Sequence, residues 1–395
     1  MQIFLNLFVP IISFFLCIIT ANYLSKTSHF SFLNERQNRF RSLDGIRGFL
    51  ALSVFFHHFV ITYYWKTNGV WSRPPQDIFQ NFGKVGVAVF FMITGFLFIS
   101  KITKKDSTIN WLGLYQSRVF RIMPLYLFAL SVITFIVFLN SDYQLKVSLL
   151  TLIKQYIKWG MFIGGSLNDF ANTKLIIAEV DWTLKYEWLF YFSLPLVALL
   201  LKRLKSIGVL FIIVGSIILF FNPISISYFS TEFIIYFCVG GFSSYIVNNF
   251  KSNSQITGKI PSTINLFLII AAVFYPNTLD AFHLVIISSL FILTLLGNDL
   301  YGLFSLRSSI VLGEISYSIY LLHGVVLYVI FTIINPIEFN EYKINDFIFV
   351  MPLISVLVVI VSATTFLLIE KPGIDFGRKL KIKLPFFMKR NDYSN

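Results

Sequence analysis

The chain alternates between long apolar runs and short polar breaks. A helix needs roughly 17–25 mostly apolar residues to cross a hydrocarbon core. Runs of this kind predict spans over 3–24, 45–64, 84–100, 122–140, 183–201, 207–221, 231–249, 262–277, 281–297, 310–334 and 347–369. The stretch 149–165, "LLTLIKQYIKWGMFIGG", differs. Lys154 and Lys158 stand four residues apart with Trp159 beside them, the pattern of a helix lying in the interface. The expected fold is all-α: a polytopic transmembrane helical bundle with a ten-span core and one extra span at the N-terminus.

The polar breaks give this layout a direction. With the N-terminus outside, the inner segments are 25–46, 101–121, 202–206, 250–261, 298–309 and everything from 370. They carry roughly three times as many Lys and Arg as the outer segments 65–83, 141–182 and 335–346, as the positive-inside rule requires. If 149–165 crossed as well, "KRLK" at 202–205 would fall outside. The chain is therefore read as multi-pass, with the C-terminus cytoplasmic and the N-terminus extracytoplasmic. The first run lacks a basic leader and exceeds the length of a signal-peptide core, so it reads as a retained span. The longest outer segment, 141–182, is polar and placed to cover or select a substrate.

Composition agrees. Of 395 residues, 56% are hydrophobic and 13% charged, whereas soluble domains carry about a quarter charged. The net charge of +13 suggests nucleic acid at first sight. Its placement marks it as an orientation signal at an anionic leaflet, so the expected partner is the bilayer and not nucleic acid. Cys17 and Cys238 both lie in apolar runs, offer no disulfide or metal pattern, and read as packing residues. No metal is expected. No internal repeat or low-complexity segment is evident.

One apolar run is conspicuously polar: "RSLDGIRGFLALSVFFHHF" at 41–59. Arg47 and His58 are eleven residues apart, about three turns plus 20°, so one helix face carries both with about 16 Å between them. Asp44 lies one turn before Arg47 on nearly the same face, and His57 is turned by about 100° from His58 toward another neighbour. A neutral histidine in mid-membrane can serve as a general base, and an arginine at the inner end can hold an anion arriving from the cytoplasm. Buried ionisable groups in membranes are functional candidates by default; the structural alternative is a snorkelling Arg47 and a His58 hydrogen-bonded between helices.

Other motifs add to this. "GVAVFFMITGFLF" (86–98) holds Gly86 and Gly95, which permit close helix approach. "SRVFRIMPLY" (117–126) places Arg118 and Arg121 one turn apart at the inner interface, as phosphate ligands or as anchors. "DWTLKYEWLFYFSLP" (181–195) sets Asp181 and Glu187 among Trp182, Trp188 and Tyr191 at the outer end of a span, which suggests a polar cavity for sugars. "GEISYSIYLLHG" (313–324) holds Glu314 and His323, about half a turn out of phase, so one face cannot carry both. By itself His323 reads equally as a packing histidine or a site residue.

The order of these elements resembles the acyltransferase-3 family of polytopic membrane acyltransferases, mostly bacterial O-acyltransferases of surface glycans. The family's mark is an Arg or Lys and a His with ten residues between, matched by Arg47 and His58. "RSLDGIRG", "FFMITGFLF", the Arg-x-x-Arg-Ile-x-Pro at 118–124, "WTLKYEWLFY", "ISYSIYLLH" and "IEKP" (369–372) follow in the family's order. The resemblance implies three parts: an extra helix and basic linker over 1–40, the acyltransferase-3 membrane domain over 41–372, and a basic cytoplasmic tail over 373–395. The added start and the absence of a C-terminal esterase-like domain depart from many members. They leave open whether the chain acts alone or passes an acyl group to a partner.

The family implies an acyl-CoA donor, most often acetyl-CoA, supplied from the cytoplasm, and a bacterial inner-membrane location. Arg47, Arg118, Arg121 and, more weakly, Arg41 would hold the donor's phosphates. His58 would act as base or acyl carrier, with Arg47 beside the chemistry. Trp182, Glu187, Tyr191, Asp44, Glu314 and His323 are the expected substrate contacts. The acceptor would be a hydroxyl of a cell-surface glycan, such as lipopolysaccharide, or of its lipid-linked precursor. A polysaccharide or small-molecule transporter or flippase is the alternative, and it predicts paired inverted halves that the sequence does not display. A catalytically idle assembly partner is a third reading.

Overall fold

The computed structural model describes residues 2–34, 40–104, 109–226, 229–249, 256–276 and 280–380. Part of the predicted basic linker (35–39) and most of the basic tail (381–395) lie outside these residues. The helices are α1 (Gln2–Ser25), α2 (Arg41–Asn68), α3 (Asp77–Ile102), α4 (Trp111–Leu139), α5 (Leu149–Gly160), α6 (Trp182–Phe221) and α7 (Ile234–Asn249). They continue with α8 (Lys259–Phe274), α9 (Ala281–Leu295), α10 (Arg307–Glu314), α11 (Ser316–Tyr328), α12 (Ile344–Ile348), α13 (Met351–Thr365) and α14 (Lys371–Lys379). A two-stranded antiparallel ribbon pairs Ser225–Ile226 with Phe229–Ser230.

Seven helices among the described residues are long and apolar enough to cross a membrane. Four shorter apolar helices, Ile207–Phe221, Thr231–Val247, Lys259–Phe274 and Ala281–Leu295, fall where the remaining runs stood. The predicted spans 183–201 and 207–221 belong to the single helical run of α6. A side chain at Gly208 would come within 2.8 Å of the Leu200 carbonyl, so the second half folds back along the first. The predicted span 310–334 is also interrupted. It divides at Ile315 into α10 and α11 and widens to a π-helical stretch over Val329–Ile334. The short helix α5 carries Leu149, Leu150, Ile153, Ile157 and Met161 exposed near Lys154 and Lys158, an outward apolar stripe suited to lipid.

The central helix is α2, which packs against α1, α3, α9, α10, α11 and α13. Ala51, Leu52, Phe55, Phe56, Phe59 and Val60 on it are fully buried, as expected of a helix apolar on nearly every side. The α3–α7 crossing depends on glycine. A methyl at Gly95 would strike the Phe237 carbonyl, and one at Gly240 would strike the Met92 carbonyl. Backbone meets backbone there, the packing that small residues allow in apolar surroundings.

Within the segment 141–182, the first half with α5 stays at the surface and the second half folds inward. Its 3₁₀ turn Ala171–Ile177 packs against α11 and α4, and Ile176, Ile177 and Ala178 are buried. The side-chain-free face of Gly324 receives the Ile177–Ala178 backbone. Irregular backbone is tolerable at this depth because protein, not lipid, surrounds it.

Candidate active site

Arg47 and His58 both meet α11 from one face of α2, about three turns apart. Arg47 lines a cavity of about 100 Å³ with Thr94 on α3, Arg118 and Arg121 on α4, Glu187 and Tyr191 on α6, and Tyr317 and Tyr320 on α11. Three arginines from two helices thus converge on one cavity. Glu187 accepts from the Tyr191 hydroxyl at 2.7 Å and from Thr94 at 3.4 Å. The Arg118 guanidinium lies 5.4 Å above the Phe98 ring. A carboxylate and several hydroxyls oppose the three cations, so the cavity offers both anion-binding and hydroxyl-binding groups.

His58 stands outside that cavity. Its Nδ1 lies 2.9 Å from Nε2 of the fully buried His323, with the rings stacked at 5.0 Å. His323 Nδ1 lies 3.0 Å from the Ile319 carbonyl oxygen, which can only accept. That nitrogen therefore carries the hydrogen, and in a neutral ring Nε2 of His323 is an acceptor. His58 Nδ1 must then donate to it, which leaves the His58 Nε2 lone pair available as a base. Trp71, from the α2–α3 connection, stacks on the other side of His58 at 6.1 Å. His57 faces α3, where Nδ1 donates to the Phe79 carbonyl at 2.8 Å. Tyr320 separates the cavity from the pair: it lines the one, its ring lies 6.3 Å from His323, and its hydroxyl is 2.8 Å from Thr183.

A second cavity, of about 320 Å³ and more polar, opens where α4, α10 and α14 meet. Arg121 and Glu314 line it together with Glu370 and Lys371. Glu370 is fully buried; Ser318 donates to its Oε2 at 2.8 Å, and Oε1 has no hydrogen-bond partner among the described residues. Arg121 thus borders both cavities and sits in the field of Glu370, Glu314 and Glu187.

The other expected contacts lie apart. Trp182 is packed against Phe91, Tyr186 and Phe233 and is not part of the arginine cavity. Asp44 offers its backbone carbonyl to the face of Gly313, and Arg41 is an exposed residue at the start of α2. The sequence places Glu187 and Tyr191 in an outer polar cavity, but they share one with Arg47, Arg118 and Arg121. The 171–181 segment is drawn into the bundle, with Ile176, Ile177 and Asp181 buried, so α6 begins inside the protein rather than at its surface. Asp181, ahead of α6, is fully buried and has Lys174 at 3.9 Å. Burial pushes its carboxyl up to about 6, against the pull of Lys174.

The family model for the acyltransferase domain matches residues 40–367, which include every element of both cavities except the N-terminal segment and α14 with Glu370. The chain belongs to the acyltransferase-3 family. Among curated proteins, this acyltransferase-3 chain is similar to a putative acetyltransferase of Acidianus two-tailed virus, 26% identical over 307 residues, or 70% of this chain and 80% of that one. It is also similar to the O-acetyltransferase OatA of Staphylococcus aureus, 24% identical over 376 residues and 87% of this chain. The chain spans 58% of the staphylococcal protein's length. No solved structure matches it.

Several residues of these cavities and of the histidine pair's surroundings carry no mark in the sequence, among them Glu370, Tyr320 and Trp71. Glu370 was visible only as a letter in "IEKP", and Tyr320 as one tyrosine in "YSIYLLH". Trp71 sits in a connecting segment whose composition gives no sign of a histidine nearby.

Proposed function

We propose that the protein is a membrane O-acyltransferase that moves an acyl group, most simply acetyl, from cytoplasmic acyl-CoA to a hydroxyl of a cell-surface glycan or its lipid-linked precursor. The observation that carries this reading is the convergence of Arg47, Arg118 and Arg121 on one cavity whose Tyr320 wall also packs against the His323 of the His58–His323 pair. CoA is an anionic nucleotide thioester, and guanidinium groups suit its phosphates. His58 Nε2 takes the proton from the acceptor hydroxyl as the oxygen bonds to the acyl carbon. The carbon–sulfur bond breaks, and the proton passes to the departing thiolate, releasing CoA and the ester. Acyl transfer to His58 followed by transfer to the hydroxyl is the two-step form of the same reaction. The chain would lie in a bacterial inner membrane, with the donor side cytoplasmic.

The test compares surface glycans, by mass spectrometry, from cells with the wild type, His58→Ala or a deletion. An acetyl mass increment present only with the wild type is expected, and its position names the acceptor. A well-expressed His58→Ala protein that still modifies the glycan removes His58 from the chemistry. No difference in any glycan fraction would turn the assignment toward a small-molecule acceptor or transport.

A further inference from the structure

We infer that the second, cytoplasm-facing cavity is the subsite for the nucleotide portion of the donor, built in part by segments outside the family's matched region. This inference rests on the acyl-CoA reading above. Its walls are Phe32 from the turn after α1, Arg121 on α4, Glu370, and Lys371, Asp375 and Arg378 on α14. Phe32 precedes the matched residues 40–367, and Asp375 and Arg378 follow them.

The chemistry of these walls fits an adenosine diphosphate group. Asp375 gathers two cations on one face of α14, with Lys371 at 2.9 Å and Arg378 at 3.4 Å. Both remain partly exposed, so phosphate oxygens can reach them, and Arg378 can offer two parallel N–H groups. Phe32 and Phe366 stack at 6.4 Å, with Lys371 5.2 Å over the Phe32 ring. Phe32 sets an apolar aromatic wall beside these cations, a surface that suits a nucleobase joined to phosphates. The Glu370 Oε1, buried without a hydrogen-bond partner among the described residues, is an acceptor for the base's amino group. The alternation of acids and cations suits a nucleotide better than a simple polyanion, because a nucleotide both donates and accepts.

Position supports the same reading. Arg121 lines this cavity and the arginine cavity alike. A donor whose adenosine 3′-phosphate rests on α14 can set its pyrophosphate against Arg121 and the arginine cavity and extend its thioester arm toward Tyr320 and the histidines. The arrangement also gives the added N-terminal segment a role, since its turn supplies one wall.

The experiment measures binding of adenosine 3′,5′-diphosphate to the purified full chain in nanodiscs, alongside the KM for acetyl-CoA. A Lys371→Ala/Arg378→Ala double variant should weaken nucleotide binding roughly tenfold or more and raise the KM by a similar factor. Lys379→Ala, an exposed cation on the same helix that does not line the cavity, should leave binding at the wild-type value. Nucleotide binding equal in the wild type and double variant, or absent from the wild type, overturns the subsite. Binding that depends on Lys371 and Arg378 in a protein that never turns over acetyl-CoA supports the subsite and faults the reaction instead.

Discussion

His58 illustrates how much a single side chain owes to its partner. A neutral histidine can carry its proton on either nitrogen, and only one tautomer leaves Nε2 free. Here the choice is made two bonds away: the Ile319 carbonyl fixes His323, and His323 fixes His58. Loss of such tautomer control in a catalytic histidine can cost up to about 10⁴ in rate. His323→Gln keeps an acceptor oxygen for His58 Nδ1, whereas His323→Leu keeps none. The Gln variant should retain acetyl transfer within about tenfold of the wild type, and the Leu variant should lose a hundredfold or more. Initial rates with acetyl-CoA decide this. Equal rates for Leu and wild type would reduce His323 to packing. The sequence held both histidines, and its spacing separated His57 from His58. It could not pair residues 58 and 323, because the contact joins two helices far apart in the chain.

At the scale of elements, helix contacts in this bundle are set by what is missing from them. Gly95 and Gly240 let α3 and α7 meet backbone to backbone. Gly86 stands on the α2 side of the same helix, where an added methyl would come within 2.8 Å of Val54. Any side chain at Gly95 must displace a carbonyl that other helices hold in place, and overpacking of this kind costs about 1–3 kcal/mol or more. Gly95→Leu should therefore lower the melting temperature in detergent by several degrees and reduce the monodisperse fraction. Gly215→Ala, at a helical position with nothing within 4 Å, should do neither. A Gly95→Leu protein as stable as the wild type would mean that the two helices are not tightly crossed. The small-residue pattern was legible in the sequence, but the partner helix was not. Periodicity says which face is small and leaves open which helix meets it.

At the scale of the whole molecule, the asymmetry of Lys and Arg predicts an orientation. It should be visible by cysteine labelling in a Cys238→Ser background, where Cys17 remains buried. Lys146→Cys should react with an impermeant maleimide on intact cells, and Lys202→Cys only after permeabilisation. The reverse pattern would invert the layout and place the α14 cavity on the wrong side for a cytoplasmic donor. Hydropathy, charge bias and the order of motifs were enough to indicate a helical membrane bundle, its family and most of the polar side chains of interest. These are properties of local sequence, because crossing a bilayer constrains each segment by itself. Which polar groups share a space was decided by tertiary structure. The inward fold of 171–181 started α6 inside the bundle, where Glu187 lines the same cavity as Arg121. The break at Ile315 let Glu314 face one cavity while His323 faced His58. The packing of α14 under α4 brought Glu370 to the same arginine. Apolar surroundings reward any arrangement that satisfies buried polar groups, and the sequence shows how many such groups there are but not which of them satisfy one another.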